Sequence, residues 1–168
     1  GADIIDVGGE STRPGHMQIS DEEEAGRVVP VIQALKKEFG VLVSIDTYKS
    51  HVAEAALDAG ADLVNDIWGL KYDERMAGLI ARYDAACCLM HNREKAEYSD
   101  FLPDFMEDMK ECLRLAEEAG IRKDGIMLDP GVGFGKTYEM NLEIISRLEI
   151  MQELGYPVLL GTSRKSVI

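Results

Sequence analysis

Short apolar runs alternate with longer amphipathic stretches along all 168 residues, and that rhythm limits the folds open to this chain. The runs are residues 3–7, 41–45, 62–65, 85–90, 125–128 and 157–160. Stretches such as Ile4-Ile5 and Val158-Leu159-Leu160 do not alternate polar with apolar, as expected of parallel strands covered on both faces. Between the runs, Val52, Ala55, Ala56 and Ala59 recur at helical spacing. Phe105, Met109, Cys112, Ala116 and Ala119 keep one stripe, and Ile144, Leu148 and Met151 keep another. Gly40, Gly60, Gly120 and Gly155 each follow such a pattern, where a left-handed capping residue is expected. Pro30 lies inside the first helical pattern, so that helix either kinks there or starts late. A polar loop over residues 92–100 precedes a helix over 102–119.

The order reads βαβαβαβαβαβ, six strands and five helices, which is an α/β fold with a parallel sheet. An open doubly wound sheet and a closed barrel both satisfy it. A complete (β/α)8 barrel takes about 250 residues, so six βα units in this length fit an incomplete (β/α)8 TIM barrel with about six of its eight strands. No linker, low-complexity stretch or second domain interrupts residues 1–168, which are expected to form a single domain.

The net charge of −13 and a pI near 4.6 argue against nucleic acid and against anionic membrane surfaces as partners. Any phosphorylated substrate needs a local cluster of Arg, Lys or backbone N–H groups. No apolar run approaches the roughly 18 residues that cross a bilayer, and no signal-like N-terminus is visible. Cys87, Cys88 and Cys112 show no metal-ligand spacing. Adjacent residues on a strand point to opposite faces, so Cys87 and Cys88 are poorly placed to bond each other. Buried thiols in a reducing cytoplasm are expected.

Polar residues recur directly after the strands. They are Asp6 with Gly8-Gly9-Glu10-Ser11-Thr12-Arg13-Pro14-Gly15, then Asp46-Thr47, Asn65-Asp66, His91-Asn92, Asp129-Pro130-Gly131, and finally Thr162-Ser163-Arg164-Lys165-Ser166. In parallel α/β folds these ends share one side, where substrates bind. One such residue is commonly a helix cap; six in succession point to a site. The stretch Gly131-Val-Gly-Phe-Gly-Lys136 is not a nucleotide P-loop, because Pro130 stands where that motif needs glycine. Its glycines suggest a tight loop on which backbone and Phe134 approach a ligand. His91 reads as a structural strand-end histidine, and His16 and His51 show no ligand spacing.

With those motifs in this order and spacing, the whole chain resembles dihydropteroate synthase. The resemblance implies a transferase of folate biosynthesis and a sulfonamide target. Such an enzyme joins 4-aminobenzoate to 7,8-dihydropterin-6-ylmethyl diphosphate and releases pyrophosphate. It implies that Asp129 accepts from the amine and ring N–H of the pterin, that Asp46 and Asn65 complete recognition of the ring, and that Lys165 donates to the pterin carbonyl. Met90 either lines the pterin face or fills the core. Thr12, Arg13, Pro14, Phe134 and Ser166 are the implied contacts of 4-aminobenzoate. Asp46, Lys165 and Arg13 are the implied catalytic groups, and Asp6 either orients the loop after it or touches substrate.

The family's Mg2+-binding Asn on an earlier strand and its Arg-x-His diphosphate pair on a later one have no counterpart here. The resemblance therefore implies a chain truncated at both ends, with no metal ligand of its own, inactive and poorly soluble alone. The complete protein is expected to be a cytoplasmic homodimer using Mg2+. A methyltetrahydrofolate–corrinoid methyltransferase and a non-catalytic pterin-binding homologue are the competing readings. The first is expected to lack the 9–15 and 163–166 motifs. The second would lack the Mg2+-binding Asn or the Arg-x-His pair.

Overall fold

The computed structural model describes residues 1–11, 17–163 and 165. Thr12, Arg13, Pro14 and Ser166 therefore lie outside the described residues. Five parallel strands, β1 (Ile4–Gly8), β2 (Leu42–Asp46), β3 (Leu63–Asp66), β4 (Ala86–Met90) and β5 (Ile126–Asp129), pair in the order β1-β2-β3-β4-β5. The helices α1 (Asp21–Glu38), α2 (Ser50–Asp58), α3 (Met76–Arg82), α4 (Phe101–Ala119) and α5 (Tyr138–Ser146) alternate with them. The order never reverses among these strands. A doubly wound sheet needs a reversal, whereas βα units stepping one way produce an arc of a barrel. The sixth apolar run is present in its expected place but pairs at one position, a parallel bridge between Val158 and Leu128.

The helices form where local signals agree. Ser20 caps α1, its hydroxyl accepting from Glu23 N at 3.2 Å. Asp21, Glu22, Glu23 and Glu24 open that helix and Lys36 and Lys37 close it, matching the helix dipole at both ends. Pro30 sits in its interior without ending it. Helix α4 stops at Gly120, whose φ of 82° is left-handed, as expected of a capping glycine. Gly60 and Gly155 behave likewise. Gly40 does not, because Phe39 has already left the helix in an extended conformation. The stripe Ile144, Leu148, Met151 is not one helix: α5 ends at Ser146, and a 3-10 turn over Leu148–Leu154 follows Arg147. Ile144 and Met151 are nonetheless both fully buried.

Strand side chains alternate between faces, and burial sorts them. Val7, Val43, Ile45, Val64, Cys87, Leu89, Ile126 and Leu128 join one core with Ile32, Val52, Ile80, Phe105, Met109 and Ile144 from the helices. The opposite face carries Asp6, Ser44, Asp46, Asn65, Cys88, Met90 and Asp129. Cys87 and Cys88 thus diverge as expected, and all three cysteines are free and buried. That opposite face is not fully covered. Ile4 is 37% and Leu42 52% exposed, because the arc is open beside β1 and no described chain lies over it.

Phe105 is fully buried and packs on His91 and Phe101. Phe105→Ala is expected to lower unfolding free energy by about 3–5 kcal/mol, read from urea denaturation with an unchanged slope.

Candidate active site

Register brings the strand-end groups together. Gly8 pairs with Asp46, Asp46 with Asn65, Asn65 with Cys88, and Met90 with Asp129. Neighbouring strands lie about 4.8 Å apart, so these residues form adjoining rows on one face at the strands' C-terminal ends. Gly8 lies directly against Asp46: a Cβ added there would make an ordinary contact with Asp46 Oδ2 at 3.4 Å. Asp6, one step deeper, accepts from Asn65 Nδ2 at 3.2 Å, so it orients that amide.

Asp46 Oδ1 is buried and has no hydrogen-bond partner among the described residues. Burial first, then the carboxylates of Asp6, Glu24 and Asp66, pushes this carboxyl up to about 7. An unsatisfied buried carboxylate carries a cost that a cationic or N–H-donating ligand would remove. Asp66, by contrast, points to the helix side. Its two oxygens accept from Trp68 N and Leu70 N, each at 2.8 Å, and it shapes the turn after β3.

Asp129 is buried, and its Oδ1 accepts from Gly131 N at 2.7 Å. Its Oδ2 and Lys165 Nζ both lie within 4 Å of one point beside Gly161. Burial raises the Asp129 carboxyl, opposed by the Gly131 N–H and by Lys165 and Lys136. Lys165 Nζ stands 4.8 Å from the centre of the Phe134 ring and donates to Val132 O; burial lowers its pKa. An apolar wall adjoins these groups, made by Tyr48, Ile67 and Met90 with Trp68 and Phe134 packed on them. Flat apolar surface beside a few convergent polar groups is the usual make-up of a small-molecule site.

The loop after β5 is tight, as its glycines suggested. Its glycines do adopt positive φ, at 131, 133 and 135. Two of them approach the chain's own backbone: a Cβ on Gly131 would lie 1.9 Å from His91 O, and one on Gly135 2.5 Å from Arg93 O. Lys136 gathers the loop, donating to Gly131 O at 2.9 Å, Phe134 O at 3.0 Å and His91 Nδ1 at 2.8 Å. His91 Nε2 lies 3.0 Å from Asp108 Oδ2, which also accepts from Arg93 Nε at 2.6 Å. Nδ1 therefore accepts and Nε2 carries the proton, and burial pushes the imidazole down to about 4. Burial likewise pushes Lys136 down to about 7. His91 is structural, as its sequence position suggested, and it holds the loop that carries Phe134.

Four residues expected at the site, Asp46, Asn65, Met90 and Asp129, share this face, and Lys165 and Phe134 flank Asp129. The Lys136–His91–Asp108 network and the wall of Tyr48, Ile67 and Trp68 were not anticipated. Lys136 stands out in sequence only as the end of a failed P-loop match, and no periodicity marks Ile67 or Trp68. Among the described residues, no group of three or more His, Cys, Asp or Glu side chains could hold a metal ion. None of the described helices is long and apolar enough to cross a membrane.

An arc of parallel strands stepping one way, with polar and apolar groups gathered at its C-terminal rim, defines a protein of the α/β-barrel class. The family model described as pterin binding enzyme matches residues 1–168. The chain belongs to that family. It is similar to the dihydropteroate synthase of Clostridium beijerinckii, 60% identical over all of this chain and 62% of that one. The dihydropteroate synthase of Bacillus subtilis is 53% identical, with 59% of its length covered. The chain thus spans about three fifths of these curated relatives. Its fold superposes on a crystal structure of Clostridium difficile dihydropteroate synthase determined in the presence of pteroic acid, with a TM-score of 0.97 and 52% identity over 99% of this chain and 64% of that one. A Xanthomonas albilineans dihydropteroate synthase with 4-aminobenzoic acid matches at a TM-score of 0.95 and 40% identity, over 99% of this chain and 61% of that one.

Folding raises the Asp46 pKa, so the folded state holds this proton more tightly than the unfolded state does. The stability linked to it is full below the ordinary carboxylate pKa and is lost as pH rises through about 7. Asp46→Asn cannot ionise. Its stability relative to the parent chain is expected to rise between about pH 4 and about pH 8, measured by urea denaturation at several pH values.

Proposed function

We propose that the chain supplies the pterin pocket and part of the 4-aminobenzoate site of a dihydropteroate synthase. In this reading residues 1–168 are one pterin-binding barrel domain lacking a strand at each end. The observation that carries the proposal is the common face of Asp46, Asn65, Met90 and Asp129, with Lys165 beside Asp129.

A pterin edge offers an exocyclic amine and a ring N–H side by side. Asp129 accepts both, its plane fixed by the Gly131 N–H, and these charge-assisted bonds are strong in a shielded pocket. Lys165 donates to the pterin carbonyl. Asn65, held by Asp6, reads a further part of the ring, and Met90 lines its face. The C–O bond to the diphosphate breaks first, its electron pair leaving with pyrophosphate. A positive charge then develops on the pterin methylene. Asp46, buried and short of partners, stabilises that charge more than a hydrated carboxylate would. The aromatic amine attacks the methylene carbon and sheds a proton. Phe134 flanks the amine's ring, Thr12, Arg13 and Pro14 contact it, and Ser166 meets its carboxylate end.

Mg2+ on the diphosphate belongs to this reading, but the described residues build no site for it and no step above passes through it. The complete protein is proposed to act in the cytoplasm as a homodimer.

The test uses a complete synthase carrying these 168 residues, assayed for pyrophosphate release that depends on 4-aminobenzoate. Asp129→Ala is expected to weaken pterin binding by about 100-fold, because ring donors lose their buried acceptor. Arg13→Ala is expected to raise the KM for 4-aminobenzoate and leave pterin binding within about twofold. If both changes affect only the second substrate, the pocket assignment is wrong.

A further inference from the structure

A buried ion cluster of Lys49, Glu10 and Glu24 lies beside the site, and none of these three side chains is assigned a contact with substrate above. Lys49 Nζ donates to Glu10 Oε2 at 2.7 Å, Glu24 Oε2 at 2.8 Å and the carbonyl of Ile19 at 2.8 Å. Glu10 Oε2 also accepts from Ile19 N at 2.9 Å, and its Oε1 accepts from the Tyr48 hydroxyl. The Lys49 and Glu10 side chains are only 5% and 2% exposed. Both backbone groups of Ile19 are thus held by charged side chains, and such bonds are stronger than neutral ones.

Stability does not account for this cluster. Two carboxylates around one ammonium leave a buried net negative charge, and well-packed apolar residues commonly serve stability as well as a buried ion pair does. Position accounts for it better. The near end of the segment is fixed too, since Gly9 lies flat on α1, where an added Cβ would meet Val28 Cγ1 at 2.9 Å, and Arg27 Nη1 donates to Gly9 O at 2.8 Å. At the far end Gln18 Nε2 donates to the hydroxyls of Tyr48 and Tyr72. Tyr48 and Lys49 follow Asp46 by two and three positions on the same chain.

We infer that Glu10 and Lys49 are positioning residues: their bonds to each other and to Ile19 fasten Glu10 and Ile19, which flank residues 11–18 in sequence, against the end of β2. The inference rests on the reading that Thr12, Arg13 and Pro14 serve 4-aminobenzoate. Glu24 reaches the ammonium from α1 and bonds neither backbone group of Ile19, which supplies an internal control.

The experiment compares three variants of a complete synthase carrying this chain: Glu24→Gln, the double change Lys49→Met with Glu24→Gln, and the isosteric Glu10→Gln. Each is read by thermal denaturation, by KM for 4-aminobenzoate, and by Kd for the pterin diphosphate without the second substrate. Glu24→Gln is expected to lower Tm and leave KM within about twofold. The double variant is expected to raise KM about tenfold and Glu10→Gln about threefold, with pterin Kd unchanged within about twofold. The inference is overturned if Glu24→Gln raises KM as much as the other variants do. It is also overturned if the folded Lys49 and Glu10 variants keep the parental KM. Should the double variant not fold, Glu10→Gln decides alone. Absence of pterin binding or of pyrophosphate release in the unsubstituted protein would instead overturn the functional reading.

Discussion

Parallel pairing at a two-residue period is the constraint on which the rest of this structure depends. Once Val43, Ile45, Val64, Cys87, Leu89 and Leu128 are committed to the helices, Asp46, Asn65, Met90 and Asp129 have no choice of face. A slip of one residue in β1, β2 or β5 would put a carboxylate into the apolar core and a valine or leucine into the cleft. The apolar core and the site therefore enforce the same register, and the energy that stabilises the fold also aims the functional groups.

The electrostatics follow from that aim. Strand ends gather carboxylates faster than cations, in keeping with a chain of net charge −13. Burial and mutual repulsion then push Asp46 up to about 7. Asp129 escapes part of that pressure because a backbone N–H and two lysines face it. The two carboxyls are thereby differentiated by environment alone: one is held in place beside cations, the other is left short of partners. A ring that presents hydrogen-bond donors at one edge and gains positive charge elsewhere fits that asymmetry.

Loops carry the remaining groups, and each is held by its own device. The segment after β5 is folded down by Lys136 onto three acceptors and pressed against residues 91–93 so closely that Gly131 and Gly135 admit no side chain. The segment after β1 is fastened at its ends by Glu10 and Lys49. Both devices use a buried lysine to bind backbone carbonyls. A lysine can satisfy several acceptors that strand pairing leaves unmatched, and it also offsets the acidic surroundings.

The sequence by itself determined the order of strands and helices, their approximate limits, and the residues that end each strand, because hydrophobic period and cap chemistry are local properties. It also carried the motifs whose spacing resembles one family, and from them Asp46, Asn65, Asp129 and Lys165. Other features were decided only by the tertiary structure. Local patterns alone left a doubly wound sheet open; length per unit and the resemblance pointed to the barrel, and the strand order excludes the doubly wound sheet. Gly40 has the composition of a cap, yet the backbone turns at Phe39 before reaching it. A tight loop over 131–135 was legible, but not that Gly131 and Gly135 admit the chain's own backbone at His91 and Arg93. The Glu10–Lys49–Ile19 staple and the Lys136–His91–Asp108 line join residues 17 to 45 positions apart, apart from Glu10 and Ile19. No periodicity records such pairings, because they depend on which loops the packing of strands and helices brings side by side.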